Sequence, residues 1–153
     1  MVQIGVRPCV DSFEHLADEL HTLDLRIARC VARMQQTAPQ VESLSSYRFI
    51  SQVEVELLLR DDYDAARDQN DSDAEMEAWQ AHVGERVAAA LSQHIYLALP
   101  HLAQIFGLTW FELQAVVICL APELRPKYDK LYAYLHDDIT RKKPSVDLVL
   151  QLL

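Results

Sequence analysis

The sequence predicts a mainly α fold, built as a helical bundle, and three observations support this. Only 3 of the 153 residues are glycine, whereas a β-sandwich or a glycine-rich nucleotide-binding fold normally needs more. Apolar residues recur at steps of 3 and 4 along several segments, which is the helical period. Several of these segments begin with residues typical of helix N-terminal caps. Helices are therefore expected along most of the chain.

The first helix is predicted over Ser12–Gln36 and carries a long apolar seam. Its apolar positions follow a heptad pattern over three repeats, and they are Phe13, Leu16, Leu20, Leu23, Ile27, Cys30 and Met34. A seam of this length must be covered. Packing within the chain's own bundle is favoured, and a two-chain coiled coil is the alternative.

A third helix, predicted over Ala74–Leu97, is the expected partner of this seam. An antiparallel pair would bury Leu20, Leu23 and Ile27 against Trp79, Val83 and Val87. Gly84 and the alanines at 88–90 would allow close approach. The second helix, introduced by a capping box of Ser51 and Glu54, is shorter. The intervening acidic stretch from 61 to 73 is expected to be an exposed loop rather than a metal site.

The second half of the chain predicts four shorter helices. One ends at Gly107, and the next begins at a capping box of Thr109 and Glu112 and stops at Pro122. Because that helix is apolar on all sides, it is expected to be buried. The predicted core of this half comprises Trp110, Phe111, Val117, Leu120, Leu131 and Leu135. Ser145 is expected to cap the last helix.

Composition restricts the location and the partners. A formal net charge of -9 disfavours nucleic acid and anionic membranes. The 3 cysteines are far apart and odd in number, as in a reduced cytoplasmic protein. Neither a signal peptide nor an apolar run of about 20 residues is present in the sequence. A cytoplasmic location without membrane association is expected.

No motif in the sequence predicts catalysis. The chain has neither a phosphate-binding loop nor an H-E-x-x-H pair, and its 6 histidines show no metal-ligand spacing. No catalytic, cofactor-binding or metal-binding residue is therefore assigned. Asp137 and Asp138 would suit general acid–base chemistry, but between a helix end and a basic run a salt-bridged link is the favoured interpretation.

The segment from Leu102 to Leu120 has the pattern of a helix–turn–helix. Its second helix has no Arg or Lys that could reach a base edge, which favours a winged-helix-like unit for protein contact. The alternative is a nucleic-acid-binding helix–turn–helix that uses Arg141, Lys142 and Lys143 on phosphates. These three residues, with Asp137 and Asp138, are the candidate interaction residues.

Four stretches of the sequence carry a family resemblance, and they are Phe106–Glu112, Ala121–Leu124, Lys130–Arg141 and Pro144–Leu148. They resemble the N-terminal module that precedes the ATPase core in a family of bacterial AAA+ ATPases. Some members of that family are encoded with phage-tail-like contractile injection systems. The similarity is weaker at Leu23–Arg26 and Ile50–Leu58, and Arg125 departs from the aspartate that relatives tend to have.

The resemblance implies the organisation of a longer protein. Residues 1–97 would form a helical region with the acidic loop, and residues 98–153 a winged-helix-like region that precedes an ATPase core. The apolar final segment, Val146–Leu153, agrees with a chain that continues. ATP and magnesium would bind that core and not this region. Implied partners are a protein substrate and the chain's own core, with self-association through the parent left open.

Overall fold

The computed structural model describes residues 6–37, 50–60 and 72–153. Those residues form seven helices and no strand, which confirms the mainly α fold. The helices are α1 (Ser12–Thr37), α2 (Gln52–Arg60), α3 (Ser72–Ser92), α4 (Ala98–Phe106), α5 (Trp110–Leu124), α6 (Lys127–Leu135) and α7 (Val146–Leu152). Most of the predicted acidic loop lies outside the described residues.

Helix α1 is the centre of the bundle and contacts α3, α4, α5 and α7. Its six consecutive residues from Thr22 to Ile27 are all buried. Six residues span more than one and a half helical turns, so this part of α1 is enclosed on every side. Two of the buried residues are charged, and each has a partner on another helix. Asp24 accepts from Lys127 Nζ on α6 at 2.8 Å, and Arg26 donates to Gln114 Oε1 on α5 at 2.6 Å.

The apolar seam of α1 is covered by the chain itself, but not by the helix that the sequence predicted. Leu20, Leu23 and Ile27 belong to the main core cluster, whose other large members come mostly from α5, α6 and α7. Val83 and Val87 of α3 are not part of that cluster. The predicted seam is also wrong at its first position, because Phe13 is 82% exposed.

The predicted antiparallel pairing of α1 and α3 is confirmed, and polar contacts connect the two helices. Near its N-terminus, α1 meets the chain that follows α3, where Ser12 Oγ accepts from Ala98 N at 2.9 Å. One and a half turns further along, Asp18 forms an ion pair with Arg86, and Trp79 Nε1 donates to the Asp18 carbonyl at 3.3 Å. The α3 partners occur in reverse chain order, as an antiparallel pair requires.

Helix α3 ends at Ser92, five residues before the predicted end at Leu97. His94 has a φ of 60°, which is left-handed and incompatible with a continuing α-helix. Ile95 N donates back to the Ala90 carbonyl at 3.0 Å, which closes the helix. A histidine in this conformation carries no strong sequence signal, so the periodic apolar residues beyond it extended the predicted helix too far.

Pro122 does not stop α5, contrary to prediction, because the helix continues to Leu124. Proline has no N–H to donate to the carbonyl four residues earlier, which here belongs to Ile118. The buried Tyr132 hydroxyl donates to that carbonyl at 2.8 Å. Burial, first of all, raises the pKa of the Tyr132 hydroxyl above its usual range, so it remains protonated and able to donate. A side chain of α6 thus supplies the hydrogen bond that the proline removes.

The main core draws on both halves of the chain. Leu20 and Ile27 of the first half pack in one cluster with Leu131 and Leu148 of the second. The division into residues 1–97 and 98–153 stays a prediction. The expected burial of Val117, Leu131 and Leu135 is confirmed.

Replacing Leu131 by alanine should cost about 2–5 kcal/mol of unfolding free energy, because the side chain is fully buried and its loss leaves a cavity. Urea denaturation followed by circular dichroism measures the change. Leu150→Ala is the matched control, since Leu150 is 62% exposed. Equal costs for the two variants would contradict the assigned core.

Tyr132→Phe should cost about 1–3 kcal/mol, because the Ile118 carbonyl would stay buried without a donor. Pro122→Ala restores the missing N–H, so the cost of Tyr132→Phe should be about 1 kcal/mol smaller in that background. A double-mutant cycle of urea melts measures this coupling. Additive costs would show that the hydroxyl does not replace the proline's hydrogen bond.

Candidate functional site

The turn between α4 and α5 is formed as the sequence predicts. Gly107 follows α4 with a φ of 64°, in the left-handed region that favours glycine, and Leu108 N donates to the Ala103 carbonyl at 2.9 Å. Thr109 then caps α5. Its hydroxyl accepts from Glu112 N at 3.3 Å, and Glu112 Oε2 accepts from Thr109 N at 2.7 Å. The two helices are therefore joined by a short, well-bonded turn.

The aromatic residues around this turn face solvent. We call Ile105, Phe106, Trp110 and Phe111 the aromatic turn surface, and their exposed fractions lie between 43% and 68%. The expected burial of Trp110 and Phe111 is thus wrong. The inner face of α5 begins one turn later, at Gln114, and continues through Val117 and Ile118. Trp110 precedes that face and lies over Arg26, with 5.2 Å between the guanidinium carbon and the ring centroid.

Helix α5 is also open on its outer side, so the expectation that it is buried all round is wrong. A shallow open depression of about 410 Å³ follows this side and is lined by Ala115, Val116, Cys119, Leu120 and Glu123. Leu120, expected in the core, is only half-buried. From Ala98 to Leu124 the sequence contains no Lys or Arg. The helix–turn–helix therefore presents apolar and acidic groups.

A second feature is a cleft of about 290 Å³ that lies between α1, α3, α4 and α5. Val83, Gly84 and Val87 of α3 form one wall, and Trp110 and Leu113 of α5 form part of the opposite one. Trp110 also belongs to the aromatic turn surface, so the cleft and that surface share a side chain. Four residues of α1 at helical spacing complete the lining, and they are His15, Glu19, Thr22 and Arg26.

Three of the polar residues in this cleft form a connected chain of hydrogen bonds. Arg26 donates to Gln114 Oε1 at 2.6 Å, and Gln114 Nε2 donates to Glu19 Oε2 at 2.9 Å. Burial alone would raise the pKa of Glu19, but the hydrogen bonds from His15 and Gln114, followed by the charges of His15 and Arg26, outweigh it and hold the pKa below its usual range. Glu19 and Arg26 are therefore both charged at neutral pH and offset one another.

His15 is one of the most buried polar side chains of the cleft, with 3% of its surface exposed. Its Nε2 lies 3.4 Å from Glu19 Oε1. Its Nδ1 is buried and has no hydrogen-bond partner among the described residues. A buried polar atom without a partner costs free energy, so this nitrogen is an exception within an otherwise satisfied network.

Gly84 lies in the middle of α3, and packing does not explain it. A Cβ atom built at this position meets no described atom within 4 Å, so the expected close approach of a neighbour at Gly84 is wrong. Glycine inside a helix costs about 0.5–1 kcal/mol relative to alanine. Because glycine has no side chain, the α3 wall does not project into the cleft at this position.

The candidate interaction residues lie in the link between α6 and α7. Arg141, Lys142 and Lys143 are exposed, and Lys143 forms an ion pair with Glu123 at the C-terminal end of α5. Asp137 has a left-handed φ of 52°, and Asp138 Oδ1 accepts from Thr140 N at 2.9 Å. The interaction role of these five residues stays a prediction.

Their surroundings show how this link is held. His136 Nδ1 lies 3.0 Å from the Arg141 carbonyl, and its Nε2 lies 2.9 Å from Ser145 Oγ. Ser145 caps α7 by accepting from Leu148 N at 3.1 Å, as the sequence predicts. The hydrogen bonds from Thr140, side chain first and then backbone, lower the pKa of Asp138. The link is therefore an ordered turn bonded to α7.

Within the described ranges, no group of three or more His, Cys, Asp or Glu side chains is arranged to hold a metal ion. No helix among them is long and apolar enough to cross a membrane.

Comparison with known families shows which family the chain belongs to. It matches the family described as "Winged helix domain, variant" over residues 3–153 and belongs to that family. The winged-helix-like expectation is thus confirmed, and the match extends beyond the second half for which it was made. No curated protein and no solved structure matches the chain.

Gly84→Ala should stabilise the protein by about 0.5–1 kcal/mol, because alanine is the better helix former and its methyl group meets no neighbour. Urea melts measure the change. Gly107→Ala is the matched control, because that site is equally open but has a φ of +64°, and alanine there should destabilise. A loss of stability in Gly84→Ala would show that the open α3 wall has been assigned incorrectly.

Proposed function

We propose that this domain is a non-catalytic protein-interaction module that recognises its partner through the aromatic turn surface. The main observation in support is that four large apolar side chains around one short turn are exposed, and they are Ile105, Phe106, Trp110 and Phe111. Exposed aromatic groups cost free energy in water, and clusters of them mark contact sites on soluble proteins. The turn is held by Gly107 and the Thr109 capping box, so the surface is preorganised for a partner.

The charge of the helix–turn–helix supports a protein partner over nucleic acid. A DNA reader places Lys and Arg on its second helix and its flanks. Here α5 carries only Glu112 and Glu123 as charged residues. The formal net charge of -9 would add repulsion from phosphates.

The resemblance of Phe106–Glu112 and Lys130–Arg141 supports a more specific setting. In that setting the domain is the N-terminal, substrate-recognising part of a cytoplasmic AAA+ ATPase, including those that serve contractile injection systems. ATP and magnesium would bind the downstream core, which would also be the domain's intramolecular partner. The family match supports the winged-helix assignment. It gives no support to the association with an AAA+ ATPase or a contractile injection system.

Nucleic-acid binding is the second candidate, because Arg141 and Lys142 are exposed. Lys143 is already paired with Glu123, and three adjacent cations would contact few phosphates. Fluorescence polarisation with a labelled 30-base-pair duplex at physiological salt tests this candidate. Submicromolar binding that weakens steeply with salt would favour it.

Site-specific photo-crosslinking tests the aromatic turn surface. p-Benzoyl-phenylalanine replaces Phe106 in the natural full-length protein, expressed in its own cells. The same probe at Leu150 is the control, because the two positions are 68% and 62% exposed but lie on different helices. We expect a discrete protein adduct from position 106 alone. The same adducts from both positions, or none from position 106, would contradict the proposal.

A further inference from the structure

The size and lining of the cleft fit a single aromatic side chain. A protein cavity of about 150 Å³ can bind benzene, and drug-sized ligands occupy about 300–1,000 Å³. At about 290 Å³, the cleft has room for one ring and its connecting atoms. Val83, Leu113 and Trp110 supply apolar contact for such a ring.

The electrostatics of the cleft call for a neutral occupant. Glu19 and Arg26 are linked through Gln114 and offset one another. Both ends of the Gln114 amide are already bonded within this network. An ionic ligand would therefore find no uncompensated charge among these groups.

His15 specifies which polar atom the occupant must bring. A carboxylate only accepts hydrogen bonds, so His15 Nε2, at 3.4 Å from Glu19, carries the proton. The other nitrogen, Nδ1, has no partner among the described residues; it is an acceptor in the neutral imidazole and a donor in the imidazolium. The occupant that completes the network brings a hydroxyl group at its tip, because a hydroxyl can both donate and accept.

Gly84 is the independent observation that favours an open cleft. Packing within the described residues does not require glycine here, although glycine weakens a helix. A residue that weakens its own helix although packing does not require it is expected at a functional site. A larger side chain at this position would project from the α3 wall into the cleft.

We propose that the cleft receives a tyrosine side chain of the partner protein, with its ring beside Val83 and Trp110 and its hydroxyl hydrogen-bonded to His15 Nδ1. The inference rests on the proposed function, because Trp110 joins the cleft to the aromatic turn surface. Tyrosine combines an apolar ring with a hydroxyl at its far end, which matches a partly apolar lining and a buried ring nitrogen without a partner. The tyrosine would be an anchor in a pocket at the edge of the contact.

Binding of p-cresol, the tyrosine side chain as a free molecule, tests the cleft without knowledge of the partner. Two-dimensional NMR of the ¹⁵N-labelled protein follows the amides of Val83 and Gly84 and the indole of Trp110. The control ligand is 4-fluorotoluene, which has a similar shape and lacks the hydroxyl group. We expect p-cresol to bind about ten times more tightly. No shifts with p-cresol, or equal affinity for the two ligands, would overturn the inference.

Two variants assign the binding to the cleft. Gly84→Leu should weaken p-cresol binding at least tenfold by filling the cleft, whereas Gly84→Ala should retain it. His15→Phe should remove the preference for p-cresol over 4-fluorotoluene, which a purely structural role of His15 would not do. Circular dichroism checks that each variant is folded, and Gly84→Leu decides the question if His15→Phe is not. Unchanged p-cresol binding by folded Gly84→Leu would overturn the inference.

The two proposals fail separately. If p-cresol does not bind and the adduct from position 106 persists, the cleft inference is overturned and the protein-contact function stands. If p-cresol binds and position 106 gives no adduct, the proposed function is overturned, and with it the assignment of the cleft to a partner's tyrosine. If both results are positive, Gly84→Leu should reduce the yield of the position 106 adduct, and an unchanged yield would overturn the inference.

Discussion

The burial of α1 in the middle of the bundle is the constraint on which the rest of the structure depends. A polar residue on a buried part of a helix cannot reach water, so it needs a partner within the protein. Asp18 takes Arg86 from α3, Asp24 takes Lys127 from α6, and Arg26 takes Gln114 from α5. Removing one member of such a pair leaves a buried charge without compensation, which is much more costly than the pair itself is stabilising. These polar contacts therefore set which helix lies on which side of α1, while the apolar residues supply most of the favourable free energy.

The candidate site follows from the same constraint. The side of α1 that faces α3 and α5 carries His15, Glu19 and Arg26, which hydrogen-bond rather than pack as aliphatic groups do. Helices separated by such residues do not close completely, and the cleft is the space that remains. Arg26 also lies under Trp110, so one buried guanidinium joins the interior network to the exposed aromatic turn surface. A cation over an aromatic face is stabilised by about 0.5–2 kcal/mol, which helps to hold this ring at the surface.

Local sequence signals predicted the positions of the helices well. They were less successful at predicting which side of each helix is buried. The caps at Thr109 and Ser145 and the left-handed Gly107 depend on residues close in sequence, and they were correct. The heptad seam correctly marked Leu20, Leu23 and Ile27 as core, but it carries no information about Asp18, which is also buried. The partner of the Asp18 carboxylate, Arg86, is 68 residues away in the sequence. No local sequence pattern can indicate a contact at that separation. Trp110 and Phe111 were placed in the core because they are large and apolar, whereas exposed aromatic residues at a contact site have the same composition signal as buried ones. The cleft was missed because it needs four helices to be in place.

The distances in sequence between α1 and its partners have a consequence for synthesis on the ribosome. The Asp24–Lys127 contact spans 103 residues, and Leu148, near the end of the chain, belongs to the core cluster that covers the seam. Translation proceeds at about 5–20 residues per second, so roughly 5–20 seconds pass between the emergence of α1 and that of Lys127. During this interval the nascent chain carries an uncovered apolar stripe and charged groups that have no counterpart. Such a segment matches what a ribosome-associated chaperone binds, and the native arrangement becomes available only when α5, α6 and α7 have left the exit tunnel.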